Sequence, residues 1–213
     1  MLKKGFFISL EGVEGVGKST ILSHVKSLLD ERGIEYIVTR EPGGTPMAES
    51  IRRILLDQYN ETVSDVTELL LMFASRSQNV SEVILPALSS GKWVIADRFT
   101  DASFAYQGGG RGLDLSSIEM LARLVQGSLQ PDLTLLLDAP VEVGLARVSE
   151  RGEHDRIELE KKDFFRRVRE QYLTMAKDNA SRYRVIDAER PLDEVKRQVS
   201  QVMKTVLNSS RRG

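Results

Sequence analysis

Gly12-Val13-Glu14-Gly15-Val16-Gly17-Lys18-Ser19 follows an apolar run, Phe6 to Leu10, and opens a helical pattern; it meets every fixed position of G-x-x-x-x-G-K-[ST]. The residue types suit a phosphate cradle. Glycines permit backbone dihedrals and close approaches that a Cβ forbids, so successive N–H groups can turn inward around an anion. The helix that follows adds the partial positive charge of its N-terminus. Lys18 supplies a mobile cation for the outer phosphates and Ser19 a hydroxyl for magnesium; Gly12 through Gly17 supply the cradle and Thr20 completes the segment. Strand, glycine loop and helix in that order mark the start of an α/β fold.

Outward from this stretch, short apolar runs alternate with helical patterns. Strands are expected at Phe6 to Glu11, Glu35 to Thr39, Trp93 to Ala96, Leu133 to Leu137 and Tyr183 to Ile186. Helices are expected at Ser19 to Arg32, Pro46 to Asp57, Asp65 to Leu88, Asp114 to Val125, Val141 to Glu150, Lys161 to Asn179 and Leu192 to Leu207. Near-continuous apolar strands separated by helices imply a five-stranded parallel sheet covered on both faces. A single domain over 1–207 suffices for 213 residues, with 208–213 a frayed tail.

Composition narrows the function classes. A net charge of −1 argues against a protein that holds nucleic acid by bulk electrostatics. With no cysteine there are no disulfides, thiolate metal sites or cysteine nucleophiles, and two histidines, His24 and His154, are too few for a zinc cluster. Glu11 ends the first apolar run too early for a signal-peptide core, and no segment approaches the ~20 apolar residues of a membrane span. A soluble, cytoplasmic protein without membrane contact is the expectation.

In parallel α/β sheets, ligands bind beyond the carboxyl ends of the strands. Polar residues stand there after three of the runs: Arg40-Glu41-Pro42-Gly43-Gly44-Thr45, Asp97-Arg98-Phe99, and Asp138. A turn cap or a solvated charge accounts for any one of them. Three such ends on the edge that carries a phosphate loop point to a site.

Together with Glu14, Arg52, the helix ending at Arg76, Ala105-Tyr106-Gln107-Gly108-Gly109-Gly110-Arg111-Gly112 and Arg151-Gly152-Glu153-His154-Asp155-Arg156-Ile157-Glu158, these stretches resemble the bacterial thymidylate kinases across essentially the whole chain. Such kinases transfer a phosphoryl group from ATP to dTMP, with magnesium, and form homodimers. The resemblance implies that Arg52 and Arg98 hold the acceptor phosphate, where a guanidinium fork suits bidentate contact. It puts Arg40 at the substrate, Asp97 near magnesium through water, Glu14 toward the acceptor sugar and its surroundings, and Arg147 against adenine. For the base it implies that Arg76 donates to a thymine carbonyl, that Ser103 and Gln107 lie beside it, and that Tyr106 fills the place of a ribose 2′-hydroxyl. The stretch at about 147–158 corresponds to a mobile lid whose closure excludes water.

The chain departs from the family pattern twice. Where members carry a stacking Phe four residues before the arginine, this chain has Met72, with Phe73 one step and about 100° further round the helix; either Met72 covers the base or Phe73 swings in. Some members also carry a basic residue in the loop where Gly15 stands, so the charge on the transferring group falls to Arg151, supported by Arg156. An arginine placed at Gly15 should restore part of that charge if the backbone tolerates a Cβ.

Two other classes stay open. A kinase for another nucleoside monophosphate is the nearest. A P-loop GTPase or switch is the second: Asp30-Glu31-Arg32-Gly33 matches D-x-x-G, but it closes a helix and no Asn-Lys-x-Asp motif follows. A nucleotide-driven nucleic-acid remodeller is disfavoured by charge and size.

Overall fold

The computed structural model describes residues 5–149 and 155–209. Along the chain run β1 (Phe7–Glu11), α1 (Lys18–Asp30), β2 (Tyr36–Arg40), α2 (Pro46–Leu56) and α3 (Asp65–Asn79), which passes through a π turn, Val80–Ile84, into α4 (Leu85–Ser89). Then come β3 (Trp93–Asp97), α5 (Thr100–Ser103) with a π turn, Phe104–Gly110, α6 (Leu115–Gln126), β4 (Leu133–Asp138), α7 (Val141–Ser149), α8 (Lys162–Asp178), β5 (Tyr183–Asp187) and α9 (Leu192–Ser209). Each expected strand forms, displaced by at most one residue at an end. The helix expected from Asp65 to Leu88 also forms. Its π turn lies just before Pro86, whose ring cannot continue a regular α turn.

All strand pairs are parallel and the order is β2-β3-β1-β4-β5. In the centre, Leu10 of β1 stands opposite Asp97 of β3 and Leu135 of β4. Period-2 alternation sends neighbouring residues to different faces. Ile8, Leu10 and Ile95 join Val25 and Leu29 of α1, Phe165 and Tyr172 of α8, and Met203 of α9 in one core. Phe7, Val94 and Ala96 pack in a second core with Val80, Ile84 and Phe99. Connections leave the carboxyl ends of the adjacent β1 and β3 toward opposite sides of the sheet, which opens a crevice between them.

One segment departs from expectation. The stretch around Tyr106, Gln107 and three glycines reads as a loop, yet it is helical from Thr100 through Gly110. Packing overrides propensity there. A Cβ on Gly110 would stand 2.5 Å from the Phe164 ring, and one on Gly109 would stand 2.9 Å from the Arg167 carbonyl oxygen, so the glycines let α8 approach the helix backbone closely. At the other end α9 continues through Asn208 and Ser209, where a frayed tail was expected to begin; 210–213 lie outside the described residues. Among the described residues no helix is long and apolar enough to cross a membrane.

Candidate active site

The crevice holds a cavity of about 460 Å³. One end is the glycine-rich loop, represented by Glu14, Gly15, Gly17, Lys18 and Ser19. Val13 and Val16 send their side chains into the core and so anchor the loop between β1 and α1, while Gly17, at φ 93°, precedes the first helical residue. Lys18 and Ser19 thus stand in the first turn of α1, where backbone N–H groups lack intrahelical partners. Thr20 is exposed and does not line the cavity; Gly12 lies beneath the wall. The Lys18 ammonium donates to the carbonyl oxygens of Gly12 at 3.0 Å and Val13 at 2.8 Å. Burial, then the neighbouring Arg98 charge, pulls its pKa down to about 8.

Gly15 leaves no room for a side chain. Its φ is +72°, and a Cβ there would stand 2.0 Å from the Gly144 carbonyl oxygen; a Cβ on Gly144 would stand 2.3 Å from the Glu14 carbonyl oxygen. The two glycines hold the loop against α7. An arginine cannot therefore be introduced at Gly15 without displacing backbone, so the condition for restoring charge there, a backbone that tolerates a Cβ, is not met. Arg147, on the same helix, lines the cavity and donates to the Gly15 carbonyl oxygen at 3.4 Å.

Three guanidinium groups gather along the wall. Arg98 lies just past β3 in a left-handed conformation, φ 70°, donating to Glu14 at 2.8 Å and to the Gly12 carbonyl oxygen at 2.9 Å. Nearby, Glu11 is a buried carboxylate that accepts from the Phe99 N–H at 2.8 Å and the Tyr172 hydroxyl at 2.7 Å, and that hydroxyl also accepts from Arg98 at 3.4 Å. Burial and then Asp101 push the Glu11 pKa up to about 8. Arg52, one face of α2, donates to the Pro42 carbonyl oxygen at 2.9 Å; burial and then Arg40 press its pKa downward. Arg40, at the end of β2, makes a two-pronged contact with Glu49. Like charges crowded in this way favour an anion among them.

At the far end Arg76 is 2% exposed. Nε donates to Glu41 at 2.6 Å and Nη2 to Ser103 at 3.0 Å, while Nη1 is buried without a protein partner. Met72 and Ser103 line the cavity beside it. Phe73 does not: it is buried, and the Arg76 guanidinium lies 4.4 Å above its ring, so it supports the arginine from below. Of the two candidates for covering a base, only Met72 reaches the cavity wall. Tyr106 lines the wall with its hydroxyl donating to both Glu14 oxygens, at 2.8 and 2.6 Å. Gln107 is fully buried, outside the wall, with its amide nitrogen on Glu68 at 2.8 Å.

Asp97 lines the cavity, as Ser19 does, and one of its oxygens is buried without a partner. A hydroxyl and an under-satisfied carboxylate fit magnesium, which keeps much of its own water and leans on substrate phosphates. Among the described residues no cluster of three or more His, Cys, Asp or Glu residues forms a metal cage of its own. Arg151 lies outside the described residues. Arg156, expected to support it, turns instead to Glu68 and the Leu55 carbonyl oxygen. Sequence reasoning did not assign Glu41, Glu68, Asp155, Ile157 and Glu158. Glu41 stood in view inside Arg40-Glu41-Pro42, but only folding reveals it as the counter-charge of Arg76.

The thymidylate kinase family model matches residues 10–199. Thymidylate kinase of Pseudomonas fluorescens (strain Pf0-1) is 52% identical over 207 residues, covering 97% of this chain and 99% of its own. That of Nitrosospira multiformis is 53% identical over 203 residues, covering 95% and 98%. The crystal structure of thymidylate kinase from Ehrlichia chaffeensis superimposes with a TM-score of 0.75 at 32% identity, covering 94% of this chain and 99% of that one.

Proposed function

Because the chain belongs to the thymidylate kinase family, we propose that this cavity receives ATP at the glycine-rich loop and dTMP at the Arg76 end. The chain is a nucleoside monophosphate kinase that moves a phosphoryl group from ATP to dTMP, giving dTDP. One observation carries the residue assignment: donor loop and acceptor arginines share one wall. Joining two phosphorylated substrates requires cations from several segments, since catalysis of phosphoryl transfer is mostly positioning and charge neutralisation.

Lys18 leaves its carbonyl partners for the donor phosphates. Ser19 and Asp97 are the residues that would hold magnesium, whose chemistry is to neutralise charge on those phosphates. Arg52 and Arg98 take the acceptor phosphate, with Arg40 beside them. Arg76 offers Nη1 to a thymine carbonyl, and Met72 lays a polarisable thioether over the ring. Tyr106, fixed by Glu14, blocks the place of a 2′-hydroxyl. Arg147 flanks the adenine side. Coupled ADP release with a panel of monophosphates tests the assignment. Turnover should be highest with dTMP and moderately lower with dUMP, because a methyl in an apolar pocket is worth about 1–3 kcal/mol. Equal turnover with purine monophosphates would break it.

The catalytic cation on the transferring group is assigned to the lid, about 147–158, and within it to Arg151. Support comes from the loop: Gly15 carries no charge and has no space for one. An arginine supplied to such a transition state contributes about 10³–10⁵ in rate. Arg151→Ala should depress kcat by that order while the KM for dTMP changes little; an unchanged kcat removes Arg151 from the mechanism. The working form is a homodimer in the cytoplasm. Support for the dimer is the exposed apolar pairs Val66 and Leu70 on α3 and Met120 and Leu124 on the adjoining α6; support for the compartment is the cysteine-free sequence.

A further inference from the structure

Glu68 stands on α3, outside the cavity wall, with 1% of its side chain exposed. Its carboxylate joins three elements. Oε2 accepts from Arg156 Nη2 at 2.7 Å and Arg111 Nη2 at 2.9 Å; Oε1 accepts from Gln107 Nε2 at 2.8 Å and Arg111 Nε at 3.3 Å. Burial opposes its charge, but the donors outweigh burial and hold the carboxyl below its usual range. Arg156 is tied twice more, its Nε to the Leu55 carbonyl oxygen at 3.0 Å and its N–H to that of Leu56 at 3.2 Å. Arg111 also pairs with Glu160. The segment 155–160 is thus attached at Arg156 and Glu160, and it gives Asp155, Ile157 and Glu158 to the cavity wall.

We infer that Glu68 is a positioning residue, a buried catch that holds the C-terminal flank of the lid against the acceptor pocket and orients the Gln107 amide through the same carboxylate. This deepens the dTMP kinase reading and rests on it for its kinetic consequence. The carboxylate can only accept, so Gln107 must present Nε2 to it and turn Oε1, which has no protein partner, the other way. The contact with Arg156 is the releasable one. When it parts, Glu68 still has Arg111 and Gln107, so no buried charge is orphaned, and Arg156, 17% exposed, returns to water. Opening therefore gives up the Arg156 contacts with Glu68 and with the Leu55 and Leu56 carbonyl oxygens and the Glu160 pair with Arg111, whereas closing places the flank against α2, α3 and the π turn, which carry Arg52, Arg76 and Tyr106.

Two variants test the catch. Arg156→Met keeps the aliphatic stem and removes the donors; Glu68→Gln keeps the shape and removes the charge. In the ligand-free protein, hydrogen exchange at the amides of 156–160 should accelerate by at least about tenfold in Arg156→Met, which loses the charged hydrogen bonds to Glu68 and to the Leu55 carbonyl oxygen, with β1 and β3 unchanged. In steady state the KM for dTMP should rise about tenfold with kcat nearly kept, and ADP should form in excess of dTDP as water takes the phosphoryl group. The double variant should be no worse than the more impaired single one. Unchanged exchange overturns the catch, as do effects that multiply, or a fall in kcat at constant KM, which would put Arg156 on the reacting phosphates. If Glu68→Gln does not fold, the exchange and KM arms of Arg156→Met decide alone. The exchange arm uses no nucleotide, so a wild type inactive on dTMP would sink the substrate reading while leaving the catch to be judged separately.

Discussion

A lysine held near pKa 8 is a conditional charge. Lys18 is protonated and ready for phosphate below that pH, and loses its proton as pH rises through it. kcat/KM for ATP reports the free enzyme, so it should fall about tenfold per pH unit above about 8. kcat should hold to higher pH, because bound phosphate adds negative charge beside the ammonium. Glu11 also titrates near 8 but does not touch the cavity; the limb should survive in Glu11→Gln, and a flat profile up to pH 10 would detach Lys18 from the donor site. At this scale the sequence was informative about cations and nearly silent about their counter-charges. Lys18 and Arg76 fall in recognisable positions, whereas Glu41 and Glu68 look like any solvated acid until folding buries them against arginines. Phe73 shows the same limit: one residue of helical rotation separates a wall residue from a supporting one, and spacing alone left Met72 and Phe73 undecided.

The helix that ends in three glycines was illegible for a related reason. Local propensity reads Gly108, Gly109 and Gly110 as a loop; the helix exists because α8 needs an unobstructed backbone to lie on. Two effects compete when Gly110 is replaced by alanine. Helix propensity favours alanine by about 1 kcal/mol, and forcing a methyl into the Phe164 ring costs about 1–3 kcal/mol. Overlap should win, so Gly110→Ala should lower stability to chemical denaturation by about 1 kcal/mol or more. A stabilised variant would mean that α8 yields easily and that the contact is not what keeps the glycines. The three inner strands, β1, β3 and β4, were readable because they are buried on both faces and read as apolar runs; the edge strands β2 and β5 leave Val38 and Val185 exposed and were readable only as short apolar runs between helical patterns.

Right-handed crossovers say which face each helix covers but leave the strand order open; the order β2-β3-β1-β4-β5 is a property of the folded sheet, and the crevice between β1 and β3 follows from it. Burial of exposed apolar side chains is not written in the chain at all. Leu124 is 80% exposed and Met120 68%, and a dimer that covers them should become monomeric in Leu124→Asp, as read by sedimentation velocity; a wild type that sediments as a monomer at micromolar concentration ends the proposal. The contact between Gly15 and Gly144 has a consequence for sequence drift. Neither position can accept a side chain alone, because the obstacle at each is the other segment's backbone. A lineage that placed a cation at this point of the glycine-rich loop would have to reshape α7 in the same step. On the proposal that the lid supplies the decisive arginine, a backbone contact, and not the chemistry, is what bars the loop from taking over that role.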